Sequence, residues 1–274
     1  MIKAEDIEVD LFIEAIYRKY GHDFRGYSKA HMKRRILNRV HLAQYPSIPA
    51  LMHDVLRSQE LFEQVQADFS INVTEMYRDP PFFQFLREEI VPLLKTYPKV
   101  KVWHAGCSSG EEVYSMAILL KEEGLYDRVQ IYATDFNEAV LQRAKEGIFP
   151  LDAVKEYTAN YQRSGGLSTF SDYYTAGYDS VIMDQSIKQN IVFAQHNLVT
   201  DGVFGQMHVI ICRNVLIYFT KPLQDQVFHL FDESLRVGGY LCLGTKETLH
   251  GSSVMDQYLA VEDTLKIYRK TMSP

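Results

Sequence analysis

The 274-residue chain predicts an α/β fold: a parallel sheet wrapped by helices on both faces, with a small helical domain in front. Three observations carry this expectation. Residues 7–66 repeat apolar positions at helical spacing. From residue 99 onward, five short runs are rich in β-branched and aromatic residues, and most of these runs alternate with amphipathic segments. Alternation of that kind covers both faces of a sheet, so its strands run parallel.

The first domain, over 1–70, reads as four short helices: IEVDLFIEAIYRKY, KAHMKRRILNRVHLA, IPALMHDVLR and SQELFEQVQADF. The turns GHDFRGYS and QYPSIP separate them, and Pro49 suits a first helical turn. Each helix hides one apolar stripe, which makes a small bundle. A linker and connecting helix occupy 71–98, with Pro80 and Pro81 at the helix start and Phe82, Phe83, Phe85 and Leu86 as its apolar anchors. VKVWHA, VQIYAT, QNIVFAQ, MHVIICR and GYLCLG are the strands of a domain over 99–274, and TLKIYRK is expected to return antiparallel. Residues 150–190, rich in Tyr, Ser and Gly, break the rhythm. They read as a large surface loop or a small inserted β element, with SVIMD as a strand. Their length favours an insert with order of its own.

Composition narrows the function classes. A net charge of -6 gives no support for a protein that coats itself in nucleic acid or anionic lipid. No apolar run approaches the roughly 18 residues that a membrane span needs, and MIKAEDIEVD is too acidic for a signal peptide, so a cytoplasmic protein is expected. Cys107, Cys212 and Cys242 are an odd three beside apolar runs and read as reduced, buried thiols. Without a CxxC or a His pair at ligand spacing, no metal site is expected.

The stretch VKVWHAGCSSGEEVYSMAILL carries the chemistry. A strand enters a turn of small residues, Ala105 to Gly110, which opens onto a helix, so a ligand can approach the backbone near the helix's positive end. The turn is neither GxGxxG nor a GK[ST] loop, which counts against dinucleotide and P-loop readings. Glu111 and Glu112 would repel a pyrophosphate but suit an ammonium group. Asp135, ending the next strand, is placed to accept hydrogen bonds from two ribose hydroxyls, unless it merely caps the helix that follows. A nucleoside bearing an amino acid satisfies both features, and S-adenosylmethionine is such a ligand. Asn197 and Leu198, and Arg213 and Asn214, follow later strands and fall at the same sheet edge. Each asparagine taken alone could be only a turn residue.

NVTEMYR (72–78), AGCSSGEEVYS (105–115), YATDFNEAVLQRAKEG (132–147), FAQHNL (193–198) and ICRNVLIYF (211–219) together resemble the chemotaxis receptor methyltransferases, which methylate glutamates of chemoreceptors. With the leading helices, the likeness covers nearly the whole chain. It implies a Rossmann-like S-adenosylmethionine-dependent methyltransferase fold with an N-terminal helical domain and a small inserted β subdomain. It implies that Asn72, Thr74 and Arg78 fold over the cofactor, that Ala105 and Glu111 hold its amino acid part, and that Asp135 holds the ribose. Asn197 and Leu198 then lie near the adenine, and Arg213 and Asn214 line the cleft. Arg78 and Tyr218 are the residues expected to position the substrate glutamate. The family's two phenylalanines before the arginine are replaced here by Met76 and Tyr77. The stretch 173–193 is about three residues shorter than in members that dock on a receptor tail peptide, so no tether is expected.

A glutamate is already ionised near neutral pH, so transfer to it needs orientation and desolvation rather than a base. Arg78 could clamp the carboxylate bidentately, and Tyr218 could donate to it or simply pack in the core. Residues 22–41 carry Arg25, Lys29, Lys33, Arg34, Arg35 and Arg39 against Asp23 alone. Arg35 and Arg39 share a helical face with Lys33 at its edge, which suits the glutamate-bearing cytoplasmic helices of a chemoreceptor as well as an ordinary solvated surface. Nucleic acid would need a longer basic track than the chain offers. Two alternatives stand beside this reading: a methyltransferase of similar fold acting on another substrate, and a signalling protein that retains the fold without turnover.

Overall fold

The computed structural model describes residues 3–69 and 74–272. Its contacts divide the chain into two compact units, one of residues 1–71 and 216–227, the other of 72–215 and 228–274.

The described part of the first unit has the four expected helices, α1 Ala4–Tyr20, α2 Lys29–Leu42, α3 Ile48–Val55 and α4 Gln59–Phe69. Val9, Phe12, Ile13 and Ile16 of α1 are buried at three- and four-residue spacing, and Met32 and Ile36 of α2 repeat the pattern. Ser47 caps α3 by accepting from the Ala50 N–H, and Tyr20 stacks on Phe62 at 3.8 Å. Residues 216–227 join this bundle. The Ser28 N–H donates to the Tyr218 carbonyl (2.8 Å), and Phe219 packs edge-on against Tyr27. A side chain on Gly26 would place its Cβ 2.8 Å from Leu223, which explains a glycine there.

The second unit begins with α5 Pro80–Phe85, a wide π turn Leu86–Ile90, and α6 Val91–Leu94, which form one continuous rod. Pro92 accounts for the wide turn. It has no N–H to bond four residues back, and its ring crowds that carbonyl. The Val91 N–H instead reaches the Leu86 carbonyl. Then come β1 Val100–Ala105, α7 Glu111–Glu122, β2 Val129–Asp135, α8 Glu138–Glu146, β3 Ile148–Pro150, α9 Val154–Arg163, β4 Tyr174–Ala176, β5 Ser180–Met183 and α10 Gln185–Lys188. β6 Ile191–Gln195, β7 Met207–Cys212, α11 Lys221–Ser234, β8 Leu235–Leu243, β9 Tyr258–Glu262 and β10 Ile267–Lys270 complete it, with α11 crossing the division between units.

Among the described residues, the main sheet has seven strands in the order β6-β2-β1-β7-β8-β10-β9. β1, β2, β6, β7 and β8 are parallel, and β10 lies antiparallel between β8 and β9. The expected antiparallel return is β10. β9, which the sequence pattern did not reveal, hydrogen-bonds beyond it. Burial on both faces follows the helical cover. Of β1, only Lys101 is exposed, and α7 is buried from Val113 to Leu120.

The insert is a small antiparallel sheet, β3-β5-β4, with SVIM as its middle strand. It also holds α9, a ten-residue helix that the sequence pattern does not reveal because its inward positions are mostly tyrosines. Tyr157 and Tyr161 face inward, and Tyr161 meets Tyr77 (5.3 Å) and Phe170 (5.5 Å). Glu122, at the end of α7, anchors this cluster. It accepts from Arg87 at 2.5 Å, from the Tyr173 hydroxyl at 2.9 Å, and from the Tyr161 hydroxyl. Glu123 also pairs with Arg87 at 2.9 Å, so Glu122→Ala leaves that charge compensated but strips the acceptor from two tyrosine hydroxyls, and is expected to cost about 2 kcal/mol in urea unfolding. Glu14→Ala, which breaks an exposed pair with Arg18, should change stability by less than about 1 kcal/mol.

Candidate functional site

β1 and β2 lie in register, Ala105 opposite Thr134, so both strands release the chain at the same edge. The strand order reverses there: β2 and β6 extend to one side of β1, while β7 and β8 extend to the other. Open α/β sheets bind ligands at the carboxyl ends of their strands beside such a reversal.

The turn after β1 is held tightly. The N–H groups of Gly106 and Cys107 both donate to the Thr134 carbonyl at 2.8 Å. Gly106, Ser108 and Gly110 all have positive φ. A Cβ on Gly106 would lie 2.6 Å from Val215, and one on Gly110 would lie 3.1 Å from Ala144. The glycines therefore let the turn nest between the exit of β7 and α8.

Asp135 and Glu111 face different demands. Asp135 is buried, with Oδ2 accepting from the Ser108 N–H and Oδ1 from the Asn137 N–H, each at 3.0 Å. Both oxygens retain a lone pair, so the carboxylate presents two neighbouring acceptors, as a vicinal diol requires. Burial raises its pKa, and those N–H bonds oppose the rise. It does not serve as the cap of α8: Asn137 does, accepting from the Ala139 and Val140 N–H groups. Glu111 opens α7, only 6% exposed, with the Ser109 hydroxyl 3.0 and 2.8 Å from its two oxygens. Among the described residues no cation pairs with it, and burial pushes its pKa up to about 7, against the pull of Ser109. A buried carboxyl without a counter-ion is suited to a ligand ammonium.

Glu112 is tuned the opposite way. Burial alone would raise its pKa. The charge of Arg213, followed by the hydrogen bond from His104, outweighs that and holds it down to about 2. Arg213 Nη1 donates to Glu112 at 2.7 Å and to the Arg78 carbonyl at 3.3 Å. Its Nη2 pairs with Asp79, and the guanidinium lies 4.2 Å over the Phe82 ring. With 2% of its side chain exposed, Arg213 lies beneath the cleft's lining and braces the linker. Tyr77 and Asp79 of that linker adopt left-handed backbone, fixed by the Ser115 hydroxyl accepting the Tyr77 N–H and by Asn160 donating to the Met76 carbonyl. On the far side of β7, Glu247 accepts from the N–H groups of Asn214, Val215 and Gly244, which sets Asn214 at positive φ.

The remaining expected residues divide. Ala105 is buried at the end of β1, and Thr74 and Arg78 are half-buried on the linker. Asn72 lies outside the described residues. Leu198 is buried, and the Asn197 Oδ1 accepts from the Val199 N–H, so this asparagine does shape a turn as well as follow β6. Tyr218 falls in the helical unit, its ring edge-on to His31 at 5.2 Å. In that unit Lys33 pairs with Glu5 and Asp6, and Arg39 with Asp68. Lys29 and Arg25 pair with Asp10 and Asp23. The basic stretch is thus far less bare than a count along one helix suggests, because α1 and α4 bring acids to it. Arg35 has no ion pair among the described residues. Glu112, expected with Glu111 to suit an ammonium, is instead committed to Arg213 and His104, and His104, Asp79 and Glu247 escaped sequence reasoning. The one available signal was an arginine ending an apolar strand, which demands a counter-ion.

The crevice defines the class of S-adenosylmethionine-binding α/β proteins, and the cofactor fits the donor set: diol acceptors at Asp135, an unpaired buried carboxyl at Glu111, and no phosphate grip between them. Residues 72–264 match the CheR methyltransferase SAM binding domain and residues 7–70 the CheR methyltransferase all-alpha domain. The chain therefore belongs to the CheR methyltransferase family. It is 50% identical to Cher3 of Pseudomonas putida, over 97% of each chain; that protein's name assigns methyltransferase activity only provisionally. It is 31% identical to the chemotaxis protein methyltransferase of Listeria innocua, over 89% of this chain and 92% of that one. The solved N-methyltransferase NodS of Bradyrhizobium japonicum matches with a TM-score of 0.35 and 14% identity, over 62% of this chain and 63% of its own.

Three further observations complete the chemistry. Cys107, Cys212 and Cys242 are free and buried, and burial raises their pKa values, which leaves them inert thiols. Among the described residues no His, Cys, Asp and Glu cluster could hold a metal. No described helix is long and apolar enough to cross a membrane.

Glu112 links the site to acid stability. Its folded pKa of about 2 lies below the ordinary 4.5, so the unfolded chain binds the proton first as pH falls. The stabilisation is complete above about pH 4.5 and disappears toward pH 2. Urea unfolding of the native protein between these limits should show a slope that Glu112→Gln reduces by up to about one proton. An unchanged slope would contradict the pairing.

Proposed function

We propose that this protein transfers the methyl group of S-adenosylmethionine to glutamate side chains of chemoreceptors, forming methyl esters. The observation that carries the reading is the commitment of the crevice carboxylates. Asp135 is oriented by backbone N–H groups, Glu112 is tied to Arg213, and Glu111 is left for an ammonium. A nucleophile that arrives already ionised suits such a site. The names of the family's chemotaxis members support the substrate class.

The cofactor supplies an electrophilic methyl on its sulfonium. Glu111 holds its ammonium end, with Ala105 lining that end, and Asp135 holds the ribose. Asn197 and Leu198 border the adenine, Asn214 lines the cleft, and Asn72 and Thr74 cover it. Arg78 clamps the incoming carboxylate, fixing it in line without the proton transfer that an amine or hydroxyl would need. Arg213 holds the Arg78 backbone, so its part is to position rather than to touch cofactor. Tyr218 is the second residue that the family resemblance offers for orienting the glutamate. Lys33, Arg35 and Arg39 meet the acidic receptor helices, with Arg35 offering a charge that no described carboxylate pairs and the half-buried pairs of Lys33 and Arg39 setting the face. The short insert favours docking without a tail peptide, neither nucleic acid nor membrane insertion enters the reading, and a substrate on the cytoplasmic helices of a receptor calls for a cytoplasmic enzyme.

The second reading is a methyltransferase of similar fold acting on another substrate, an amine or hydroxyl that must lose a proton. The nature of the product separates the two. Receptor-bearing membranes given methyl-labelled cofactor should acquire label released by mild base, and Arg78→Ala should lose at least about a hundredfold in rate with cofactor affinity nearly kept. Label stable to base would overturn the ester assignment.

A separate test concerns Glu111. Its carboxyl titrates near 7 in the free protein, and a bound ammonium favours the ionised form. Cofactor affinity should therefore rise between about pH 6 and 7.5, with proton release visible by calorimetry in buffers of differing ionisation enthalpy. Glu111→Gln should lose both effects.

A further inference from the structure

At the edge where the parallel strands begin, a cleft of about 190 Å³ opens between the residues after α6 and the start of β8. Tyr97, His208, Arg236, Tyr240 and Arg269 line it, with the Gly238–Gly239 backbone as part of its wall. β1 runs from this edge to Ala105, so the cleft and the cofactor crevice lie at opposite ends of the same strands.

The cleft holds donors in excess. Arg236 stacks over Tyr97 at 4.6 Å and Arg269 over Tyr240 at 5.9 Å. Among the described residues neither guanidinium pairs with a carboxylate. His208 is caught between two donors: Nδ1 lies 3.1 Å from the Lys101 backbone N–H, and Nε2 lies 3.0 Å from Arg236 Nη1. A neutral imidazole carries one proton, so on either nitrogen that proton sets donor against donor at one contact. A charged ring would do so at both. Burial, then the charges of Arg236 and Lys101, lower the His208 pKa and keep the ring neutral. An acceptor drawing the Arg236 N–H groups into the cleft would remove the conflict. Gly239 lets the wall sit close, since a Cβ there would lie 2.9 Å from the Arg236 carbonyl and 3.0 Å from that of His208.

We propose that this cleft binds a phosphate group, free or as the ester of a small metabolite. Two guanidinium forks offer paired N–H donors that match a phosphate's oxygens. The volume admits phosphate with a small organic group and falls short of the roughly 300 Å³ at which sites for larger ligands begin. The site is independent of the methyl-transfer reading, so either can fail alone.

Nuclear magnetic resonance of the labelled full chain tests it. Titration with sodium phosphate, against sodium chloride at matched ionic strength, should give saturable shifts at His208, Gly238 and Gly239. Arg236→Gln and Arg269→Gln should each weaken binding at least about tenfold, as loss of a charged hydrogen-bond donor implies, with S-adenosylmethionine affinity unchanged. Arg269 is exposed, so its variant keeps the test intact even if Arg236→Gln folds poorly. Tighter binding of ribose 5-phosphate identifies an ester as the ligand, and equal or weaker binding identifies the free ion. Identical shifts with chloride, or wild-type phosphate binding by both variants, would overturn the proposal.

Discussion

The buried guanidinium of Arg213 is the interaction on which the order of the crevice rests. It follows β7, yet its partners come from the linker, α5 and α7: Asp79, the Arg78 carbonyl, the Phe82 ring and Glu112. Taking such a charge out of water costs several kcal/mol unless the geometry compensates, so each partner is constrained to a narrow position. The linker, whose left-handed turns Ser115 and Asn160 also hold, gains an anchor at Arg78 and Asp79, and α7 gains one at Glu112. The glycine turn between β1 and α7 is then bounded by elements that cannot drift apart without exposing a naked charge.

Three carboxylates within the first strand–helix–strand unit show how environment divides one chemistry into several. Glu111 and Glu112 are neighbours in sequence, yet one has its pKa raised by burial without a cation while the other has it depressed by Arg213 and His104. Asp135 lies between these extremes in kind: burial raises it, backbone N–H groups oppose, and the result is a fixed pair of acceptors. A ligand carrying an ammonium and a diol completes what the protein leaves open. Phosphates find nothing there, and the donor-rich cleft at the opposite strand ends is where the same sheet offers them a place.

The aromatic insert and the helical unit illustrate a different balance. Glu122 gathers Arg87, Tyr161 and Tyr173, so the insert is tied to α7 by satisfied polar groups as well as by rings. On α2, by contrast, the ion pair of Lys29 with Asp10 is largely solvent-exposed and holds the surface lightly. Such pairs contribute little to stability and can be traded for those of an acidic partner. The same residue types therefore act as structural anchors where they are dry and as exchangeable contacts where they are wet.

Much of the architecture was legible from residue order alone. Helical spacing in 7–66, the β-rich runs after 99 and the small-residue turn before Glu111 are local patterns, and local patterns follow from the chain's own geometry. So is the family, because its motifs are contiguous. β9 and α9 were not legible: β9 is a lone edge strand, and the inward face of α9 is made of tyrosines whose burial depends on Tyr77, Phe170 and Glu122 far along the chain. The sequence by itself determined where the parallel strands end and where the glycine turn falls, because both are set by nearest neighbours. Tertiary structure alone decided the electrostatics of the crevice. Whether a glutamate is raised or depressed, or a basic helix bare or neutralised, depends on charges that folding brings from distant segments, and Coulomb interactions depend on distance in space rather than along the chain.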